Sequence, residues 1–301
     1  MIDSPINHLT DRRRQHWLIT GANAGIGRRL TQQLLERGDR VAATARSPRQ
    51  LDDLKAAYPD SLHVYQLDVT DAARLRSVVE QAFTQLSRID VVVSNAGYGL
   101  AGAAEELTDE LIETQINTNL LGSIQLARAV LPRLRAQPGP RRGRIIQLSS
   151  VGGQMAYPGM SLYHTTKWGI EGFFEAVATE VAPFGIGVTL VEPGGVRTDF
   201  GGRSMALPPA LEAYAGGPVG ALRTNLAAGN ISDTRPGDPD KVAAAIIASA
   251  EREPAPLRLT LGSDAYANIQ TALRRRLDAL DEQKDLAHST DVDGEFAAAL
   301  I

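Results

Sequence analysis

The chain has 301 residues and a mass of 32.2 kDa, which suits one large α/β domain with a sizeable core. It contains no cysteine, so disulfide bonds, thiolate catalysis and zinc–cysteine sites are excluded. A net charge of −4 and a pI near 5.8 give no electrostatic support for a nucleic-acid partner or an anionic membrane.

Other composition signals concern metals and targeting. The five histidines are scattered without the spacing of metal ligands, so we predict no metal site. The N-terminus carries Asp3, Asp11 and arginines before any apolar run, which is unlike a secretory signal. The longest apolar segment, 242–250, is too short to cross a bilayer. The sequence therefore predicts a cytoplasmic protein without a membrane partner.

A short buried strand at 17–19 is predicted to run directly into the glycine-rich turn TGANAGIG at 20–27. A helical pattern follows and stops at Gly38. This is the context of a dinucleotide site, because glycines let backbone amides approach a pyrophosphate at the positive end of a helix. The candidate cofactor-binding residues in this turn are Gly21, Asn23, Gly25, Ile26 and Gly27.

The second strand is predicted at 40–45, and its carboxyl end is where such folds place the residue that reads the adenosine ribose. An acid there would bond the 2′-hydroxyl of NAD, whereas this chain has Ala45 followed by Arg46. Arg46 therefore predicts a 2′-phosphate and a preference for NADP(H) over NAD(H). The alternative is a solvent-facing arginine, since the glycine turn adds no basic residue before Gly25.

The next predicted elements are a helix at 48–58, a third strand at 62–67, a helix at 71–86 and a fourth strand at 89–93. Asp68 and Val69 follow the third strand, and Asp68 could also lie in the N-cap region of the helix from 71. The small residues of SNAG at 94–97 would let the backbone pass near a cofactor, and Asn95 could bridge neighbouring strands. A long helix at 108–135 contains Asn117 and Asn119.

A fifth apolar strand ends before Ser150, and Tyr163 and Lys167 follow at a spacing of four residues. On a helix this spacing is one turn, so the phenol and the ammonium project from the same face. Taken alone, such a pair is commonly an amphipathic surface pair. A cation beside the phenol favours the phenolate, which would bring the pKa of Tyr163 from about 10 toward the range where it exchanges protons near neutral pH.

Ser150, Tyr163 and Lys167, with thirteen residues from the serine to the tyrosine, resemble the catalytic signature of the short-chain dehydrogenase/reductase family. The TGxxxGxG turn and SNAG, close to the family's Asn-Asn-Ala-Gly, share this resemblance. It implies that Tyr163 exchanges the proton, Ser150 positions the substrate oxygen, and Lys167 holds the ribose hydroxyls and helps to ionise Tyr163. Asn119 matches the family's proton-relay asparagine, and Asn117 is the competing candidate.

The resemblance also implies roles at other strand ends. Asp68 and Val69 would hold the adenine ring. A sixth strand at 188–191 leads to PGGVRT at 193–198, which resembles the family's Pro-Gly-x-Val-x-Thr segment beside the nicotinamide. The further candidate cofactor-binding residues are Asn95, Ala96, Gly97, Pro193, Gly194, Val196 and Thr198, together with Tyr163 and Lys167.

The segment 200–238, which we call the cap, is rich in Gly, Pro and Ala and has weak periodicity. Its apolar residues are too many for a solvated linker, so we expect a mobile cap that folds over the cofactor and lines a largely apolar pocket. The alternative is a loop packed in a subunit interface. A helix at 241–252, a seventh strand at 257–261 and a helix at 265–280 precede a tail at 281–301.

Alternating strands and helices predict a doubly wound, Rossmann-like parallel α/β sheet of about seven strands, with helices on both faces, in one domain over 1–301. The resemblance implies an oxidoreductase that interconverts a carbonyl compound and its alcohol by hydride transfer. Arg46 predicts NADP(H) as its cofactor, the cap predicts a bulky, apolar compound, and we expect a homodimer or homotetramer. One alternative is a non-catalytic nucleotide-binding regulatory protein, although all four catalytic positions are filled. The other is an epimerase or dehydratase of the related extended branch, which carries a different glycine spacing and a larger substrate domain.

Overall fold

Seven parallel strands form the central sheet of the structure, a computed structural model that describes residues 13–228 and 234–292. The strands of the chain are β1 His16–Ile19, β2 Arg40–Ala45, β3 Leu62–Gln66, β4 Val91–Ser94, β5 Gly99–Leu100, β6 Gly143–Leu148, β7 Ile186–Pro193, β8 Met205–Ala206 and β9 Arg258–Leu261. The central sheet has the order β3-β2-β1-β4-β6-β7-β9, while β5 and β8 pair separately. The predicted Rossmann-like sheet of about seven strands is confirmed.

Helices cover both faces of this sheet. The α-helices within the described residues are α1 Gly25–Glu36, α2 Asp52–Ala57, α3 Ala72–Leu86, α4 Asp109–Gln115, α5 Gly122–Arg135, α6 Ser161–Val181, α7 Pro218–Ala227, α8 Pro239–Ser249, α9 Ser263–Asp281 and α10 Lys284–His288, of which α7 lies in the cap and α10 in the tail. On one face α3, α5 and α6 contribute Val79, Leu126 and Phe174 to a buried cluster. On the other face α1 and α8 contribute Leu30 and Ile246 to a second cluster.

The strands are apolar because both faces of the sheet are covered. All four residues of β4 are buried, as are the last five of β6. A strand covered on both sides needs apolar side chains at successive positions instead of an alternating pattern. Because all seven strands are parallel, their carboxyl ends lie at one edge of the sheet, where ligands of open α/β sheets bind.

The prediction of one continuous helix at 108–135 is wrong in one respect. The α-helix α4 ends at Gln115, a π-helical segment Ile116–Leu121 follows, and α5 begins at Gly122. A π-type turn adds a residue to the helix and is frequent at functional sites. Asn119 lies in this segment, where its side chain bonds to the backbone of Tyr98. These bonds join Asn119 to a distant part of the chain, and a local pattern of apolar residues does not reveal such contacts.

The cap is more regular than predicted. It contains β8 and α7, and β8 joins β5 in a parallel pair, Gly99 with Met205 and Leu100 with Ala206. Short backbone pairing therefore connects the first part of the cap to the loop that follows β4.

Some predicted regions extend beyond the described residues. Residues 1–12, 229–233 and 293–301, which include parts of the predicted single domain, cap and tail, lie outside the described ranges. The described part of the tail contains the exposed helix α10. Within 13–228 and 234–292, no helix combines the length and the apolar character that crossing a membrane requires.

Candidate active site

Ser150, Tyr163 and Lys167 come together at the carboxyl edge of the sheet. Ser150 follows β6 in an extended conformation, and its Oγ accepts a hydrogen bond from Gly152 N at 3.1 Å. Tyr163 lies in the first turn of α6 and shares a side-chain hydrogen bond with Ser150. Lys167 lies one turn later, with its Nζ 5.7 Å from the centroid of the Tyr163 ring. The structure thus brings these three side chains into one cluster.

Burial governs the protonation of this cluster. Only 6% of Tyr163 and 7% of Lys167 is exposed to solvent. Burial raises the pKa of Tyr163 above its ordinary value, although the hydrogen bond with Ser150 opposes this shift. The net shift is therefore upward and not toward neutral pH as the sequence predicted, because desolvation of the phenolate exceeds the contacts that lower the pKa of Tyr163.

Lys167 is held by the strand that precedes the site. Its Nζ donates a hydrogen bond to the carbonyl oxygen of Leu148, the last residue of β6, at 2.8 Å. Burial lowers the pKa of Lys167 to about 8, while the Glu171 carboxylate, one helical turn further along α6, opposes this shift. An ammonium has three donors, so Lys167 has further donors for ligand oxygens once Leu148 has taken one.

Asn119, and not Asn117, is buried beside α6. Only 1% of Asn119 is exposed, whereas Asn117 belongs to the exposed residues. Asn119 Nδ2 donates to Tyr98 O at 2.9 Å and lies 3.3 Å from Thr166 Oγ1, and Asn119 Oδ1 accepts from Tyr98 N at 3.0 Å. Asn119 therefore joins the π-helical segment to α6 next to Lys167, and its role in a proton relay stays a prediction.

The glycine turn is packed tightly against the loop after β4. A Cβ atom on Gly27 would collide with the Gly21 carbonyl oxygen and lie 2.5 Å from Asn95 Nδ2. Asn95 Nδ2 itself donates to Thr20 O at 2.9 Å and to Gly21 O at 3.0 Å, so Asn95 does bridge β4 and β1 as the sequence suggested. The N-terminus of α1 has no side-chain cap and no acid in its first turn. Its free amides fit an anionic ligand such as a pyrophosphate.

Arg46 stands at the position expected for a reader of the adenosine ribose. It follows β2 directly and is exposed. Among residues 13–228 and 234–292, no carboxylate forms an ion pair with it. In the neighbouring glycine turn, Asn23 Nδ2 donates to Gln50 Oε1 at 2.7 Å. The free guanidinium of Arg46 is compatible with a 2′-phosphate.

Asp68 and Val69 lie where β3 ends. The Asp68 carboxylate accepts hydrogen bonds from Thr70 N at 3.0 Å and Thr70 Oγ1 at 2.7 Å. Asp71 is the cap residue of α3 and accepts from Arg74 N at 2.8 Å, while Asp68 lies in the turn just before it and accepts from Asp71 N through its backbone oxygen. Val69 is buried in the core beside α3 and α5. Contact of Asp68 and Val69 with an adenine ring stays a prediction.

The turn after β7 is fixed by the C-terminal part of the chain. Pro193 ends β7, and Gly194 N donates to Leu261 O at 2.9 Å. Gly195 N donates to Asp264 Oδ2 at 2.7 Å. Sequence reasoning missed Asp264, although it follows the carboxyl end of β9 closely, as Asp68 follows β3 and Asn95 follows β4. Polar residues just beyond strand ends were the signal that could have identified it.

Val196 and Thr198 continue this turn toward the glycine turn. Val196 forms an isolated bridge with Gly237 at the end of the cap. A Cβ atom on Gly25 would lie 3.8 Å from Thr198 Cβ, so the two turns approach each other. Thr198 Oγ1 accepts from Phe200 N at 3.4 Å. The predicted nicotinamide and pyrophosphate residues therefore lie on adjoining surfaces.

Arg235 is a second residue that sequence reasoning missed. Its Nη1 lies 3.5 Å from Val196 O. Its positive charge acts on the phenols of Tyr157 and Tyr163 and lowers the pKa of each, against the larger effect of burial. Arg235 lies far from any strand end in the sequence, so no motif pointed to it.

Glu106 fastens the cap to the body of the domain. Its buried carboxylate accepts from Arg223 Nη2 at 2.7 Å and from Leu211 N at 2.8 Å, both in the cap. It also accepts from Ala103 N at 2.7 Å. Burial raises the pKa of Glu106, but the hydrogen bonds from Arg223, Leu211 and Ala103 outweigh it and hold the pKa below its ordinary value.

The candidate site offers no grouping of metal ligands. Among residues 13–228 and 234–292, no cluster of three or more His, Cys, Asp or Glu side chains is placed to hold a metal ion. The polar groups that the structure does bring together suit an organic cofactor with phosphate groups.

Sequence comparisons agree with this geometry. A sequence model described as short chain dehydrogenase matches residues 15–206. The oxidoreductase BOA17 of Botryotinia fuckeliana is 40% identical over 251 residues, which cover 83% of this chain and 89% of that protein. A 3-ketodihydrosphingosine reductase of Bacteroides thetaiotaomicron is 40% identical over 183 residues, which cover 61% of this chain and 64% of that protein.

Solved structures agree as well. A short-chain dehydrogenase from Streptomyces avermitilis superposes with a TM-score of 0.85 at 38% identity, covering 93% of this chain and 100% of that chain. ElxO with NADP bound superposes with a TM-score of 0.69 at 25% identity, covering 85% of this chain and 100% of that chain.

Proposed function

The chain belongs to the short-chain dehydrogenase/reductase family of nicotinamide-dependent oxidoreductases, and on that premise we propose that it uses NADP(H) to interconvert a bulky, apolar carbonyl compound and its alcohol. The cofactor supplies or accepts a hydride at its nicotinamide ring. The protein binds both reactants, orients the carbonyl carbon and moves the proton that accompanies the hydride.

The observation that carries this proposal is the cluster of Ser150, Tyr163 and Lys167. Ser150 Oγ is hydrogen-bonded to the Tyr163 phenol, so both hydroxyls can bond one substrate oxygen. Tyr163, with its raised pKa, is protonated at neutral pH and can donate a proton to a developing alkoxide. Lys167 would bind ribose hydroxyls through the donors that Leu148 leaves free.

The residues present fit a dinucleotide. The uncapped start of α1 offers backbone amides to the pyrophosphate, and the tight packing of Gly27 keeps that turn in place. Arg46, free of ion pairs in the described part of the chain, would bind the 2′-phosphate that distinguishes NADP from NAD. The NADP in the bound structure of ElxO supports the same choice.

The apolar character of the substrate is inferred from the cap. A small cluster of buried residues around the catalytic tyrosine packs against apolar side chains of the cap: Ala101, Met160 and Tyr163 with Phe200, Met205, Leu222 and Leu226. The Phe200 and Tyr163 rings lie 5.9 Å apart between centroids. A surface of this kind favours an apolar body on the substrate over a small polar sugar. The name of the 3-ketodihydrosphingosine reductase denotes a keto compound as the substrate of that relative, which supports a ketone as the group reduced here.

The test is an assay of NADPH absorbance loss with a panel of aliphatic and aromatic ketones and aldehydes. We expect turnover of bulky members, and loss of at least about 10²-fold in turnover for Tyr163→Phe, since general acid catalysis contributes about 10²–10⁴-fold. Fluorescence titration should show that Tyr163→Phe still binds NADPH. An active Tyr163→Phe variant would contradict the assigned chemistry. The homodimer or homotetramer and the cytoplasmic location stay predictions.

A further inference from the structure

Arg235 brings a positive charge to the wall of the active site. A Cβ atom on Gly195 would lie 2.8 Å from Arg235 Cγ, and one on Gly201 would lie 3.0 Å from Arg235 Nη2. The absence of side chains at these two glycines thus leaves room for the arginine. It lies between the turn after β7, which includes Val196, and the first residues of the cap.

The guanidinium of Arg235 has few partners. It has five N–H donors, and the structure gives it one long hydrogen bond, to Val196 O at 3.5 Å. In 13–228 and 234–292 it forms no ion pair with a carboxylate. The Asp264 carboxylate attracts it without an ion pair between them; Asp264 Oδ2 accepts from Gly195 N, and among the described residues the buried Oδ1 has no hydrogen-bond partner. Burial lowers the pKa of Arg235, which reflects the cost of desolvating a cation without a paired anion.

Besides Asp264, two phenols face this charge. Arg235 interacts electrostatically with Tyr157 and Tyr163. The pKa of both phenols is raised by burial, so neither supplies a negative charge near neutral pH. The Tyr157 ring packs edge-on against His164, 4.4 Å between centroids, and burial lowers the pKa of His164 to about 4, so the imidazole is neutral as well. Asp264 is thus the one negative charge that acts on Arg235 within 13–228 and 234–292, and it forms no ion pair with it, so the donors of Arg235 are open to an anionic ligand.

We propose that Arg235 receives a carboxylate of the substrate, so that the preferred substrate is an apolar oxo acid and not a neutral ketone. This inference rests on the proposed function, since it places the carboxylate on the compound whose carbonyl group meets Tyr163. The planar fork of a guanidinium matches the two oxygens of a carboxylate. The apolar residues of the cap would cover the rest of the molecule.

A cofactor phosphate is the competing anion for Arg235. The uncapped N-terminus of α1 already offers a phosphate site, with Thr198 next to Gly25 beside it. The two possibilities differ in a measurable way: a phosphate contact requires Arg235 for NADP binding, and a substrate contact does not.

The binding experiment uses the full chain loaded with NADP and two non-reducible probes, 2-naphthoate and its neutral amide, 2-naphthamide, titrated by calorimetry. We expect Arg235→Gln to weaken naphthoate roughly 10- to 100-fold, as loss of charged hydrogen bonds predicts, and to leave naphthamide and NADP affinity within about twofold. Arg203→Gln is the matched control, because Arg203 is an exposed cap arginine paired with Asp199. Equal loss for acid and amide, a loss of NADP affinity, or no effect on naphthoate would each overturn the proposal.

Turnover separates this inference from the proposed function. Benzoylformate and 3-benzoylpropionate, each compared with its methyl ester, should show a lower KM for the acid in the wild-type protein, and Arg235→Gln should abolish that difference. If the esters are reduced and the acids are not, the reductase assignment stands and the role of Arg235 is wrong. If no carbonyl compound is reduced while naphthoate binding still depends on Arg235, the proposed function fails and the carboxylate site stands.

Discussion

Replacing Glu106 with glutamine should release the cap from the body of the domain. The Glu106 carboxylate has no exposed surface and accepts three hydrogen bonds, from Arg223, Leu211 and Ala103. A glutamine of the same shape keeps one acceptor oxygen and places an NH₂ group against a donor. The variant therefore loses the ion pair with Arg223 and at least one bond to a backbone N–H.

The size of the expected loss in cap stability follows from the exposure of Glu106 and Arg223. Breaking a fully buried ion pair costs about 3–5 kcal/mol. The Arg223 side chain is 19% exposed, so water replaces part of the lost interaction. We expect the free energy of opening the cap to fall by about 2–3 kcal/mol, which raises the open population roughly 30- to 150-fold.

The same contact gives a pH dependence with a defined sign. The pKa of Glu106 is lower in the folded state than in the unfolded chain. A carboxyl group of this kind contributes stability above its unfolded pKa, and the contribution is lost as the pH falls through the folded pKa. The wild-type cap should therefore open at acidic pH, and the Glu106→Gln cap should respond much less.

Limited trypsin digestion measures the open population of the cap, since Arg203 and Arg223 are possible cleavage sites within it. Glu106→Gln should be cut faster than the wild type, and saturating NADP should slow cleavage in both. Glu105→Gln is the matched control, because Glu105 is exposed and within the described ranges accepts a hydrogen bond from the Tyr214 hydroxyl alone, at 2.8 Å. The reasoning is refuted if Glu106→Gln and Glu105→Gln are cut at the wild-type rate. Cleavage that does not change with NADP would contradict closure of the cap over the cofactor.

Two further predictions concern the cofactor. We expect the parent protein to prefer NADPH over NADH by about one to two decades in kcat/KM, and the double variant Ala45→Asp with Arg46→Ala should reverse this preference. Equal use of both cofactors by the parent protein would show that Arg46 does not select the cofactor. Lys167→Met should lower both turnover and NADPH affinity, because we expect its ammonium to act on both the phenol and the ribose. Kinetics and fluorescence titration measure the two effects, and a variant that loses turnover alone would limit Lys167 to the proton transfer.

Much of the fold could be predicted because its signals are local. Buried parallel strands read as short apolar runs, and glycine turns mark where those runs meet helices, so the seven strands were placed to within a few residues. The grouping of Ser150, Tyr163 and Lys167 could be predicted for the same reason, since it depends on one strand end and one turn of a helix. Asn95 was also read correctly as a bridge, because it directly follows a strand.

The rest depends on contacts between distant parts of the chain. The π-helical turn at Asn119 is stabilised by the backbone of Tyr98, twenty-one positions earlier. Asp264 bonds to Gly195, sixty-nine positions earlier. The raised pKa of Tyr163 reflects burial by the whole site and could not follow from the neighbouring lysine. No pattern within one element carries information of this kind.

The hydrogen bonds of Asn95 and Asp264 have a consequence for how this protein can evolve. Both side chains bond to backbone groups, Asn95 to Thr20 and Gly21, and Asp264 to Gly195. The loops that frame the site thus have hydrogen bonds from outside the cap, and the turn after β7 is also bridged to Gly237 at the end of the cap. If the cap lines the substrate pocket as we propose, mutations at its apolar residues can alter which compounds are accepted while Asn95 and Asp264 keep these loops in place. New substrate ranges would then be open to selection through a short stretch of the gene, without a change in the residues proposed for the reaction.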